Sequence, residues 1–262
     1  MTPEVVLAVF AHPDDESLVA GGTLAGLAAA GARVVLLCMT RGESGPIAQR
    51  DIATRETLGM VRAAELQEAA DALGVQVVEC LDYPDGELAW IDKGAMRTEL
   101  VQRIRQWRPD VVITFGPEGL YWHPDHIAVH DRTVAALDAL AGEGITPGLY
   151  YATWPETLLM ELSRAAQARG LGIELWGLEP TDFGVPIGTV STVLDVGPFL
   201  SAKLRAVGAY RSQIGTHHLF HALPDDLCAA YLGTEYFVRG RPSDRNIDWP
   251  ECLLGSLTAN VP

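Results

Sequence analysis

Cations are few in this chain: 19 Lys and Arg stand against 34 Asp and Glu, for a formal charge of −15, and no run of Lys or Arg gathers them into a patch. Such a surface repels phosphate backbones and anionic lipids. Nucleic acid is therefore not the expected partner, and a small neutral or cationic molecule is. Cysteine is scarce too. Cys38, Cys80, Cys228 and Cys252 lie far apart and form no C-x-x-C pair, which speaks against a zinc knuckle or a disulfide framework and leaves small buried apolar residues. No apolar run approaches the roughly 20 residues that span a bilayer, and no basic segment leads into an apolar one at the start. Membrane insertion and a secretory leader are not expected, and cytoplasmic residence is. The glycines of "AGGTLAG" and "GPEG" lack the G-x-G-x-x-G order, which disfavours a nucleotide cofactor and a Rossmann-type dehydrogenase.

What is present is apolar and periodic. Runs rich in Val, Ile and Leu recur at Val5–Phe10, Arg33–Met39, Val75–Cys80 and Val111–Phe115, short and continuous enough to be strands buried on both faces. Segments of helical period lie at Leu18 to Ala30, Thr57 to Leu73, Gly94 to Trp107 and His126 to Leu140. That alternation predicts an α/β fold, a Rossmann-like doubly wound and mainly parallel sheet with helices on both faces. The 262 residues are expected to form a single domain, a core over 1–152 and a variable part over 153–262 that completes the pocket. In that later part Pro155 to Arg169 reads as a helix, Leu171 to Gly188 as an irregular connection, Thr189 to Val196 as a strand, Pro198 to Ser212 as a helix, and Gly240 to Pro262 as a surface tail. There is no internal repeat.

The seven histidines fall into three clusters: His12 alone among acids, then His123, His126 and His130, then His217, His218 and His221. The first stands in "AHPDDE" at the end of one buried run, and the second in "YWHPDHIAVH" after another. In a doubly wound sheet ligands bind beyond the carboxyl ends of the strands, where both motifs leave. Imidazole and carboxylate are ligands that zinc accepts, and a catalytic zinc keeps three protein ligands and an open position. The surplus carboxylate is then placed to take a proton from the metal's water. Either loop alone reads equally well as a helix start, with Pro in the first turn and acids at the positive end of the dipole. Two such loops in matching places favour the site.

"AHPDDE" paired with "HPDH" resembles the signature of the zinc-dependent deacetylases of the PIG-L/LmbE-like family, and the resemblance runs from Val5 to the "RSQ" at Arg211 to Gln213. It implies a hydrolase that removes acetyl groups from N-acetylglucosamine-containing substrates by means of a bound zinc ion, another divalent ion such as Fe2+ being the alternative. Carried over by position, it makes His12, Asp15 and His126 the metal ligands, Asp14 the general base, and His123 the group that stabilises the oxyanion or protonates the leaving amine. Tyr121 matches a tyrosine aimed at the substrate carbonyl, Arg62 a substrate-contacting arginine, and Asp85 a residue of a loop bordering the sugar site. Trp122 departs from the small residue usual before that histidine, and either narrows the mouth or offers a stacking face to a sugar. The resemblance also implies a homo-oligomer acting on a small amino-sugar substrate.

Rival readings are an amidase of larger thiol-sugar conjugates and a non-catalytic metal-binding regulatory protein. The second requires loss of the base or of the open position, and Asp14 and His123 are both present. His130 is expected in a supporting or surface place, and "GTHHLFH" on a polar surface.

Overall fold

A computed structural model describes residues 4–49, 51–172, 175, 177–214 and 223–242. Strand β1 (Val5–Phe10) is continuous with core on both faces, every residue from Val6 to Ala11 being 0% exposed. It pairs in parallel with β2 (Arg33–Thr40) on one side and with β4 (Val111–Phe115) on the other. With β3 (Val77–Tyr83), β5 (Gly148–Thr153), β6 (Thr192–Asp195) and β7 (Thr234–Arg241), these strands make a seven-stranded sheet of order β3-β2-β1-β4-β5-β7-β6. Strands β1 to β5 are parallel, and β7 and β6 continue the sheet antiparallel. The predicted doubly wound sheet is present.

Helices α1 (Asp15–Ala29), α2 (Leu58–Leu73), α3 (Lys93–Trp107) and α5 (Pro124–Ala141) are the crossovers, and a short distorted turn, α4 (Gly119–Trp122), precedes α5. Helices α6 (Leu158–Gln167), α7 (Leu200–Ala209) and α8 (Asp225–Leu232) follow. Chain order reverses between β1 and β4, which places the topological switch point at their adjoining carboxyl ends. The two loops that carry the H-P-D motifs leave from those ends.

The sequence expectations are corrected at several places. The third strand begins two residues later than the predicted Val75 and is only half-buried, because it is the sheet's edge and lacks a neighbour on one side. Strands β5 and β7 and helix α8 carry too little apolar period to be read in advance, β7 having Arg239, Gly240 and Arg241 in its last three positions. The predicted strand at Thr189 to Val196 shrinks to Thr192–Asp195 after a 3-10 turn over Ile187–Thr189. The helix predicted over Pro198 to Ser212 runs only over Leu200–Ala209, and that over Pro155 to Arg169 over Leu158–Gln167. Gly240 and Arg241 belong to β7, while residues 243–262 and the His217, His218 and His221 cluster lie outside the described residues.

The later segments lock onto α1. On β7, Glu235 accepts from Gly22 N and Thr23 N, both at 2.8 Å, and from Lys203 Nζ of α7 at 2.8 Å. Gly22 permits the approach, since a Cβ there would stand 2.5 Å from Val196.

Candidate metal centre and active site

Chain leaving β1 turns at His12 and enters α1 at Asp15, whose carboxylate accepts from His12 N at 2.8 Å and sits at the positive end of the helix. Chain leaving β4 passes through α4 and enters α5 behind His123, whose Nδ1 accepts the helix's orphan Asp125 N–H at 3.2 Å, with Pro124 next in the first turn. The H-P-D of each motif thus starts a helix, and the site stands on both helix starts together.

His12, Asp15 and His126 converge. His12 Nδ1 lies 3.2 Å from His126 Nε2 and 3.5 Å from Asp15 Oδ2, and His126 Nε2 lies 3.3 Å from Asp15 Oδ1. Donors bound at about 2.1 Å around a tetrahedral ion stand about 3.4 Å apart, so the two imidazoles, each with an oxygen of Asp15 at similar range, could hold one divalent cation, and His123 also stands near enough to His12 and His126 to join such a group. Their other atoms are engaged in ways that fix their aim. The second nitrogen of His126 bonds Gly119 O at 3.1 Å, and its ring stacks on Phe115 at 4.0 Å, with 4° between the planes. His12 Nε2 faces Asp85 Oδ1 at 3.0 Å and Asp125 Oδ2 at 3.3 Å. A carboxylate on the far nitrogen orients a ligating imidazole and makes it a better donor. Asp125, fully buried, is in turn held by Gly86 N at 2.7 Å and Leu88 N at 3.0 Å.

The cluster is short of positive charge. Burial pulls His12 down, but the carboxylates of Asp125, Asp15 and Asp85 outweigh it and hold the imidazole well above its ordinary pKa. Burial works against ionised Asp15, yet His126 and His12 hold its carboxyl well below the usual range. A divalent cation supplies the charge that this set of donors calls for.

Asp14 stands beside the triangle in a backbone conformation, φ 127° and ψ −31°, that residues with a Cβ rarely adopt. Such a conformation costs on the order of 1–3 kcal/mol and persists where the surroundings impose it. Here Arg62 Nη2 donates to Pro13 O and, at 3.0 Å, to Asp14 Oδ2, while Asp14 N donates to Glu16 Oε2 at 3.2 Å. Burial pushes the Asp14 carboxyl up to about 7, against the pull of Arg62.

The remaining expected residues divide. His123 is half-buried, 4.9 Å from the His12 ring and 4.5 Å from that of His126. Its Nδ1 accepts from Asp125 N, so the neutral ring carries its proton on Nε2; burial, with His126 and His12 nearby, lowers it to about 4. Tyr121 packs edge-on to His123 at 5.7 Å and is backed by Phe183 at 5.2 Å. Arg62 is 4% exposed and faces Asp14, Pro13 O and Gly42 O. Asp85 is turned to His12 and to Ser44 N at 2.8 Å. For both, the observed partners are protein groups. Trp122 is 69% exposed, with φ 63°, on the rim. His130 is not on the surface: it is buried, its ring bonded to Phe115 O at 2.9 Å.

Sequence reasoning missed Asp125, Glu16, Tyr210 and Phe183. The repeat of H-P-D in both motifs was a signal for Asp125, and the run of three acids one for Glu16. Nothing local marks Tyr210 or Phe183, which arrive from the far end of the chain.

Residues 7–137, half of the chain, match the family described as PIG-L, GlcNAc-PI de-N-acetylase. The chain belongs to that family. A relative from Acidothermus cellulolyticus, named 1D-myo-inositol 2-acetamido-2-deoxy-alpha-D-glucopyranoside deacetylase, is 35% identical over 260 residues, covering 89% of this chain and 87% of the relative. Among solved structures, N,N'-diacetylchitobiose deacetylase from Pyrococcus horikoshii superposes with a TM-score of 0.58 at 24% identity, over 90% of this chain and 82% of that one. GalB, the 4-carboxy-2-hydroxymuconate hydratase of Pseudomonas putida KT2440, does so with 0.63 at 18% identity, over 91% and 97%. The PIG-L fold therefore accommodates a reaction other than deacetylation, and the chemistry has to be argued from the site.

Proposed function

We propose that this PIG-L protein is a metal-dependent amide hydrolase that removes the acetyl group from an N-acetylglucosamine-containing substrate. The observation that carries the reading is the pairing of a three-donor cation triangle with a carboxylate base, Asp14, held apart from it by Arg62. The names of the curated relatives support the substrate class, and an inositol-linked 2-acetamido sugar in particular.

His12, Asp15 and His126 would hold the ion, and two imidazoles with one carboxylate suit zinc. Zinc bound there supplies Lewis acidity and brings the pKa of a water to about 7. Asp14, beside the triangle and held by Arg62, takes the proton of the attacking water. His123, neutral and protonated on Nε2, donates to the oxygen that gains charge as the acetamide carbonyl becomes tetrahedral. Tyr121 presents its hydroxyl beside His123 to the same oxygen. Asp14 then returns its proton to the departing amine, leaving acetate and a free amino sugar. Arg62 acts on the base rather than on the sugar, and Asp85 with Asp125 steadies His12. Trp122 offers an exposed ring to the part of the substrate beyond the acetamide.

Asp14→Asn tests the reading. Loss of a general base costs about 10²- to 10⁴-fold, and turnover should fall by that factor while metal analysis still finds the ion. Undiminished turnover removes Asp14 as the base.

A further inference from the structure

Behind Asp14 lies a chain of buried polar contacts that the reaction itself does not use. Glu16 is 1% exposed. Its Oε1 accepts from Ser17 Oγ and from Tyr210 Oη, and its Oε2 accepts from Asp14 N at 3.2 Å. Tyr210, 1% exposed, comes from the end of α7, 194 residues along the chain. A carboxylate with one oxygen held by two hydroxyls is fixed in rotation, so its other oxygen is aimed. What it is aimed at is the peptide N–H of the one residue of the site whose backbone has to be kept at φ 127°.

The residues after Tyr210 reach the same aspartate from its other side. Ser212 donates through N and Oγ to the two oxygens of Glu65, at 2.8 and 2.6 Å, and Arg211 forks onto Glu68 at 2.8 and 3.0 Å. Both acids lie on α2, and Glu65 is one turn from Arg62, whose Nη2 holds Pro13 O and Asp14 Oδ2. Gln213 Nε2 bonds Pro46 O at 2.9 Å, and Ala48 N bonds Ser212 O at 2.8 Å, which ties down the loop whose Gly42 and Gly45 admit the Arg62 guanidinium. A Cβ on either glycine would stand within 2.6 Å of Arg62 Nη1.

We infer that Tyr210 is a positioning residue for Asp14: acting through Glu16, it keeps the Asp14 peptide in the conformation that sets the carboxylate beside the metal triangle. This rests on the reading of Asp14 as the base. It gives the segment 210–213 a role in turnover although none of its residues faces the triangle, and it explains why a site made of two loops in the first half of the chain depends on the second half.

The test is Tyr210→Phe, which removes one oxygen and keeps the ring, with Glu16→Gln and the double variant beside it. A 1 Å misplacement of a reacting group can cost about 100-fold; with Ser17 still on Glu16, kcat should fall about 10-fold while KM and bound zinc per chain stay at the wild-type values. Because both residues act along one path, the double variant should be little worse than Glu16→Gln alone. Crystal structures of wild type and Tyr210→Phe give a reading that needs no turnover: the Asp14 carboxylate should leave Arg62 Nη2, from which it stands at 3.0 Å. Unmoved Asp14, or unchanged kcat, overturns the inference, as does a loss of kcat that follows loss of zinc. Should Tyr210→Phe not fold, Glu16→Gln carries the same two readings. A zinc-loaded wild type that releases no acetate refutes the proposed reaction, while the displacement of Asp14 is still read from the crystals.

Discussion

The two strand ends that build the site are alike in sequence and unlike in how they are held. At the end of β1, His12 and Asp15 are 8% and 5% exposed, and Arg62, Glu16, Asp85 and Asp125 fix nearly every polar atom. Past the end of β4, His126 is fully buried on Phe115, but the turn before it carries Leu120 at φ 68° and Trp122 at φ 63°, with the Trp122 ring 69% in solvent. One end is packed tightly around the proposed metal ligands and the proposed base. The other begins as a ligand platform and finishes as an open rim. Metal binding and proton transfer tolerate little displacement, whereas a substrate has to enter and leave, and the division of rigidity follows that division of labour.

Breaking the rigid end should have the larger effects. Asp125→Asn removes a buried carboxylate from behind His12, and loss of such an outer partner costs about 10- to 100-fold in metal affinity; competition with a chelator measures it, and an unchanged affinity would mean that His12 needs no such support. Arg62→Met acts on Asp14, the proposed base. The guanidinium pulls the Asp14 pKa down while burial pushes it up, so its removal raises that pKa. Asp14 has to be ionised to accept a proton. The acid limb of kcat/KM should therefore move to higher pH, by about one unit for an opposite charge at this range, and a limb that stays in place would show that Asp14 does not set it. The open end should respond least. Trp122→Ala should change KM within about fivefold, the value of one aromatic contact, with kcat and metal content unchanged. A large loss of kcat there would mean that the rim shapes the reacting centre.

The same contrast explains what could be read in advance. Buried parallel strands are apolar throughout, and helix starts are written in prolines and acids, so β1, β2, β4, the crossovers and both H-P-D motifs were legible in order. Of the two antiparallel strands, β6 was read and β7 was not: in β7, Thr234–Arg241, exposed and buried positions carry mixed residue types, and its place between β5 and β6 is decided by pairing with distant strands. For the site, the residues brought to the triangle were named from the motifs. Asp125 was passed over because the histidines on either side of it, His123 and His126, took the roles assigned to that motif, and Tyr210 because its whole contribution is made to a residue 194 positions away. Arg62 was legible as important but not as facing Asp14, since the side a helix residue presents depends on Gly42 and Gly45 giving it room.

No helix among the described residues is long and apolar enough to cross a membrane. The proposed reaction is hydrolysis of an acetamide by means of a bound metal ion. Acetate release from 1D-myo-inositol 2-acetamido-2-deoxy-alpha-D-glucopyranoside and other N-acetylglucosamine compounds, by protein stripped of metal and reloaded with one equivalent of zinc, tests it most directly. Release is expected to depend on the added zinc; a protein with zinc bound that frees no acetate from any of them would refute the proposed reaction.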